Sequence, residues 1–229
     1  MPTILAIETS ADLASAALLR DGQILVREAD KAHTHSQTIL PLVQDLLREA
    51  GIALARCDAL AFGSGPGSFT GVRTACGVVQ GLAFGADLPV VPVVTLMAMA
   101  QACHEATGGT DILAVLDARM EEVYWAQYRH TSDGWQAVIE PTLSAASAVL
   151  VQGEVTACGN GLSAYADAFR MQAWRDARPG IVPHAAQVAR LAATLFARHA
   201  GVPAHDAQPL YLRNKVALTT AERAAKAAS

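Results

Sequence analysis

Apolar residues recur in two rhythms along this chain. Residues 4–10, ILAIETS, are a short apolar run that ends in Glu8, Thr9 and Ser10, and they predict a buried strand. Residues 14–20 and 23–29 predict a second and third strand, joined by the hairpin dipeptide Asp21-Gly22. From His35 to Ala50 the period lengthens. Ile39, Leu40, Val43, Leu46, Leu47 and Ala50 fall at helical spacing, and Gly51 stops the helix. Pro41 lies inside this stretch, so the helix either kinks there or has a separate first turn. Residues 58–62 predict a fourth strand, and the loop GSGPGSFTG follows it. A helix over 68–85, a strand over 89–94 and a helix over 95–106 complete this part.

The pattern then begins again. ILAVLDAR (112–119) echoes ILAIETS and leads into a strand over 123–128, with another over 134–139 after Asp133-Gly134. Helical patterns cover 144–151, 162–172 and 184–200, with a short strand at 155–158. The chain therefore reads as α/β, in two halves. Each half starts with a three-stranded antiparallel meander and continues with helices and further strands. Thr107-Gly108-Gly109-Thr110 marks the boundary, giving domains 1–109 and 110–229. The tail TTAERAAKAAS, after about residue 215, is expected to be a frayed helix or disordered.

Composition narrows the function classes. At 229 residues the chain can bury about 70% of its unfolded surface without a staple. Seventeen basic against 21 acidic residues give a net charge of −4, which argues against a protein that grips nucleic acid alone. The N-terminus is too short and too weakly basic for a signal peptide. The longest nearly apolar run, Leu88–Ala100, is 13 residues with two prolines, too short to span a membrane. Cys57, Cys76, Cys103 and Cys158 form no CxxC pair and are expected to be buried, reduced thiols of a cytoplasmic protein.

Four features could carry chemistry. The loop Gly63–Gly71 places four glycines between a strand and a helix. It can cradle an anion at the helix start, or it is a tight turn capped by Ser68 or Thr70. It has neither a Walker lysine nor GxGxxG spacing. In the next helix Gly77, Gly81 and Gly85 recur every four residues, giving up about 2–3 kcal/mol of helix propensity. A stripe without side chains admits another backbone, either this chain's own sheet or a helix of another subunit. His33 and His35 flank a helix start as a loop or capping pair, without the further ligands a metal needs. Glu8 and Asp117 end equivalent strands and could face each other across a cleft.

ETS after the first strand, HSQTILPLVQDLL, GPGSFTGVRTACGVVQGLA and LDARMEEVYWAQY together resemble the TsaB (YeaZ) family of bacterial tRNA threonylcarbamoyladenosine biosynthesis proteins. The resemblance spans residues 4 to about 130. It thins afterwards, apart from CGNG (158–161) and PLYLR (209–213). It implies duplicated RNase-H-like halves of the actin/Hsp70/sugar-kinase superfamily, with mixed sheets flanked by helices. It further implies a scaffold or activator subunit that dimerises with the related transferase TsaD, works with the ATPase TsaE and meets tRNA through that complex. In isolation the chain would pair with itself. The transferase's metal-binding HxxxH pair aligns with Thr95 and Met99, which cannot replace it. No catalytic or metal residue is therefore expected. The implied partner interface is Thr70, Arg73, Thr74, Gly77 and Gly81, with Leu42 and Leu46 from the preceding helix. Thr9, Ser10, Gly65, Gly67, Ser68 and Phe69 are candidates for contact with ATP or ADP at a shared edge. The competing reading is a stand-alone ATP-binding small-molecule kinase or ATPase of the same superfamily. A metallopeptidase is the remaining alternative.

Overall fold

The computed structural model describes residues 1–29, 34–172 and 174–213. His33 and the tail after about 215 lie outside them.

Two five-stranded sheets repeat one plan. In the first, β1 (Ile4–Glu8), β2 (Ser15–Arg20) and β3 (Gln23–Glu28) form the expected meander, and β4 (Ala59–Gly65) and β5 (Val90–Val94) continue it in parallel, in the order β3-β2-β1-β4-β5. In the second, β6 (Asp111–Asp117), β7 (Glu122–Thr131) and β8 (Gly134–Ala145) are the meander, and β9 (Thr156–Cys158) and β10 (Asp176–Arg178) run parallel to β6. Their order, β8-β7-β6-β9-β10, matches the first sheet element for element. The ILAxx echo thus marks the central strand of each half.

Alternation along β1 assigns its two faces. Leu5 and Ile7 face α1 (His35–Ala50) and α2 (Phe69–Ala86), while Ile4 and Ala6 face α6 (Ala185–Ala197). Between the sheets runs α3 (Thr95–Thr107), whose Leu96, Met99, Ala100 and Cys103 pack on Ile112 and Ala114 of β6. The sequence boundary at Gly109 is therefore not respected in space. Helix α6 comes from the second segment but covers the first sheet, and Val202 pairs with Val90 at the edge of β5.

Three expectations need correction. Residues 144–151 hold no α-helix, because β8 keeps its register with β7 to Ala145, opposite Glu122, and only a 3-10 turn follows (Ala146–Ala148). The helix over 162–172 is two short pieces, α4 (Gly161–Ala164) and α5 (Ala166–Phe169), broken at Tyr165 (φ −127°, ψ 43°). Pro41 does not set off a separate first turn, since α1 runs from His35 to Ala50 without a break, with Pro41 and Gln37 both exposed to water. All four cysteines are buried and unpaired, and burial with the Asp58 charge pushes the Cys57 thiol up to about 11. Among the described residues no helix is long and apolar enough to cross a membrane.

Candidate functional site

The end of β1 is fastened to the start of α2. Ser68 caps α2, its Oγ accepting from the Gly71 amide at 3.3 Å, and its own amide donates to the Ser10 carbonyl at 2.7 Å. Thr9 Oγ1 donates to the Gly71 carbonyl at 2.6 Å. A methyl group on Gly71 would stand 1.8 Å from the Thr9 carbonyl oxygen. The glycines of this loop thus serve close packing first.

Beside this junction lies a cleft of about 540 Å³ between the two halves. Ser10, Gly67, Ser68 and Phe69 line it from the first half. Ser10 is buried and its Oγ has no hydrogen-bond partner among the described residues. The other two nucleotide candidates do not reach the cleft. Thr9 is fully buried by its bond to α2, and Gly65 is buried where Leu210 crosses it, the Leu210 amide donating to the Ser64 carbonyl at 2.7 Å. From the second half come Asp117, Arg119 and Asn160. Asp117 Oδ1 accepts from the Arg119 amide at 2.7 Å and from the Tyr165 hydroxyl at 2.8 Å.

Glu8 does not face Asp117. Its carboxyl is fully buried and does not line the cleft, Oε1 accepting from the Ser10 amide at 2.5 Å and Oε2 facing Thr95 Oγ1 at 3.5 Å. Gly63 makes room for it, since a Cβ there would lie 1.8 Å from Oε2. Burial holds the carboxyl above its ordinary 4.5, against the lowering effect of the Ser10 and Thr95 hydrogen bonds. The folded state therefore binds this proton more tightly than the unfolded chain does. The associated stability is whole below 4.5 and is lost as pH rises through the folded value. Glu8→Gln is expected to flatten that loss, read as the urea midpoint between about pH 4 and pH 9. An unchanged pH slope would contradict a Glu8 carboxyl raised by burial. Thr95 also receives the Gly65 amide at 3.0 Å and Met99 lies in the core, so both are structural.

Sequence reasoning missed two parts of the cleft. One is the turn Arg119-Met120-Glu121, three consecutive non-glycine residues with φ of 63°, 57° and 64°. The other is the strap 210–213, where Arg213 pairs with Glu122 at 2.7 Å and donates to the Ala118 carbonyl at 2.9 Å. PLYLR was the available signal for the strap, whereas nothing in LDARMEE signals left-handed backbone.

The second feature is the outer face of α2. Its sheet side is Gly71, Val72, Ala75, Cys76, Val79 and Ala83. Gly77, Gly81 and Gly85 are on the opposite side, exposed, and a Cβ built on any of them meets nothing within 4 Å. The stripe therefore does not admit this chain's own sheet. Phe84, 83% exposed, stands beside it. Thr70 and Arg73 are exposed on the same helix, and half-buried Thr74 turns its hydroxyl back to the Thr70 carbonyl at 2.9 Å. Leu42 is half-buried against the core. Leu46 is wholly buried against the first sheet and cannot form part of an interface, because the apolar stripe of α1 faces inward. His35 edges the cleft and its Nε2 lies 3.2 Å from the Asp12 carbonyl. Among the described residues no three His, Cys, Asp or Glu side chains converge as a metal set.

Sequence and structure comparisons identify relatives of this chain. A sequence profile of the family described as TsaD, tRNA N6-adenosine threonylcarbamoyltransferase, matches residues 26–217. The tRNA threonylcarbamoyladenosine biosynthesis protein TsaB of Escherichia coli is 41% identical over 93% of this chain and 96% of its own length. The protein of that name from Haemophilus influenzae is 38% identical over 93% and 94%. The solved structure of YeaZ from Pseudomonas aeruginosa superposes with a TM-score of 0.87 at 39% identity, covering 93% of this chain and all of that one. A further Pseudomonas aeruginosa structure, described as similar to peptidase YEAZ, gives 0.88 at 39% over the same shares.

Proposed function

The chain belongs to the TsaB family of tRNA threonylcarbamoyladenosine biosynthesis proteins, and from that premise we propose that it serves this tRNA modification as a non-catalytic subunit. It docks the transferase TsaD through α1 and α2 and holds it in a competent state. One observation carries this reading: three helix glycines that give up about 2–3 kcal/mol face solvent with nothing against them. A helix gains nothing from such a stripe in a lone chain. It gains a close backbone approach when another helix packs on it. In isolation the same face supports a homodimer. The ATPase TsaE and tRNA join through the assembled complex in the cytoplasm, as the net charge of −4 supports. ATP or ADP would meet Ser10, Gly67 and Ser68, where the start of α2 suits a phosphate.

The kinase or ATPase reading needs Glu8 and Asp117 together on a magnesium ion. Glu8 is turned into the core and does not line the cleft. Calorimetry of the isolated chain with Mg-ATP is expected to give no turnover.

Reconstitution tests the main reading. The chain, TsaD, TsaE, tRNA and threonylcarbamoyl-adenylate are combined, and each is omitted in turn. Modified tRNA should vanish when this chain or TsaD is left out, and this chain alone should produce none. Modification by this chain without TsaD would overturn the reading.

A further inference from the structure

Arg73 is held in place before any partner arrives. Its guanidinium carbon lies 3.6 Å from the centroid of the Phe69 ring and 5.5 Å from that of Tyr211. Its Nε donates to the Tyr211 hydroxyl at 2.8 Å. The two rings are 6.0 Å apart and themselves 40% and 47% exposed. One aromatic comes from the first turn of α2 and the other from the strap, so Arg73 is fixed in part by a residue 138 positions away in the chain. Among the described residues no carboxylate pairs with Arg73, and no hydrogen bond uses Nη1 or Nη2. The unspent end of the guanidinium is its bidentate fork.

The position matters as much as the geometry. Arg73, Gly77 and Gly81 are spaced at i, i+4 and i+8, so the fork stands at one end of the open stripe. Arg73 is the only charged residue in FTGVRTACGVVQGLAFGA before the Asp87 cap. A surface that tracks a phosphate backbone needs several cations, and here one arginine sits among small and aromatic groups. An interface anchor has that composition. On the neighbouring helix Asp45 pairs with Arg48 and Glu49 with Arg27, and exposed Asp87 caps the far end of α2.

We propose that Arg73 is the charged anchor of the α2 face and that a different chain docking there presents an Asp or Glu carboxylate to its fork. Phe69 and Tyr211 are positioning residues that hold the fork ready. This rests on the docking role proposed above.

The test measures the affinity of the full chain for purified TsaD between about 50 and 300 mM salt. Arg73→Met keeps the aliphatic stem and removes the charge. It should weaken binding at least about tenfold and remove most of the salt dependence. Arg73→Lys should recover only part of the affinity, because a point charge lacks the fork. Tyr211→Phe should weaken binding by a few-fold and leave the salt dependence in place. Gly77→Leu runs beside them as the docking control. If Gly77→Leu blocks binding while Arg73→Met binds like wild type with unchanged salt dependence, the Arg73 assignment is overturned and the docking role stands. If Gly77→Leu binds like wild type, the docking role falls and this assignment with it. Loss of self-association alone in Arg73→Met would also overturn it, since the carboxylate would then be the chain's own. Thermal midpoints of all four variants show whether the exposed substitutions leave the fold intact.

Discussion

Gly77→Leu/Gly81→Leu is expected to make the isolated chain more stable and to abolish its docking. Both effects follow from one fact: a Cβ at either position meets nothing within 4 Å. In the lone chain a leucine there relieves the helix of a glycine, worth about 0.8–1 kcal/mol per site. The combined gain is about 1.5–2 kcal/mol, a rise in thermal midpoint of about 3–8 °C for a chain of this size. In the complex two isobutyl groups would stand where a partner helix must approach the backbone. Affinity for TsaD should fall by about a hundredfold or more, since displacing a packed helix face removes the centre of the interface. Calorimetric melting of the isolated chain and a pull-down of TsaD read the two halves of the prediction. A stabilised variant that still docks at wild-type strength would remove the stripe from the interface.

The same kind of change six residues earlier should do the reverse. Gly71→Ala is expected to destabilise the chain by about 3–5 kcal/mol, the range of severe core disruption. The added methyl would press on main-chain atoms, 1.8 Å from the Thr9 carbonyl oxygen and 2.9 Å from its carbon. No rotamer change relieves a clash between two backbones. Relief requires α2 to lift off β1, which breaks the Thr9–Gly71 bond at 2.6 Å and the Ser68–Ser10 bond at 2.7 Å. Both bonds shape the cleft wall that carries Ser10. Urea denaturation reads the loss. Gly71→Ala with an unchanged midpoint would show that this junction yields easily. Two substitutions of glycine in one helix would thus have opposite signs, set by what each Cβ would meet.

Much of this was legible in the chain itself. The ILAIETS and ILAVLDAR echo marks the central strands of two sheets with one strand order, and Asp21-Gly22 sits where a hairpin was expected. The glycine stripe was legible as a feature, but its direction was not. Spacing of four puts Gly77, Gly81 and Gly85 on one face, and only packing says whether that face looks at the sheet. Leu46 shows the converse limit, since an apolar residue at helical spacing reads equally as core or interface until the sheet is in place. Glu8 reads from the sequence as an acid at a strand end that could face Asp117. Its burial depends on Gly63 and Thr95, which lie 55 and 87 residues away and no local pattern connects. The return of α6 to the first sheet is likewise a long-range contact, invisible to periodicity. β10 is three residues with two charges, too short and polar to register as a strand.

Hydrogen–deuterium exchange on the chain with and without TsaD tests the docking account most directly. Exchange should slow in peptides covering 35–50 and 69–86 and stay unchanged over α6, residues 185–197. A complex that forms while 69–86 exchanges at its free rate, with protection on α6 or the second sheet instead, would contradict it.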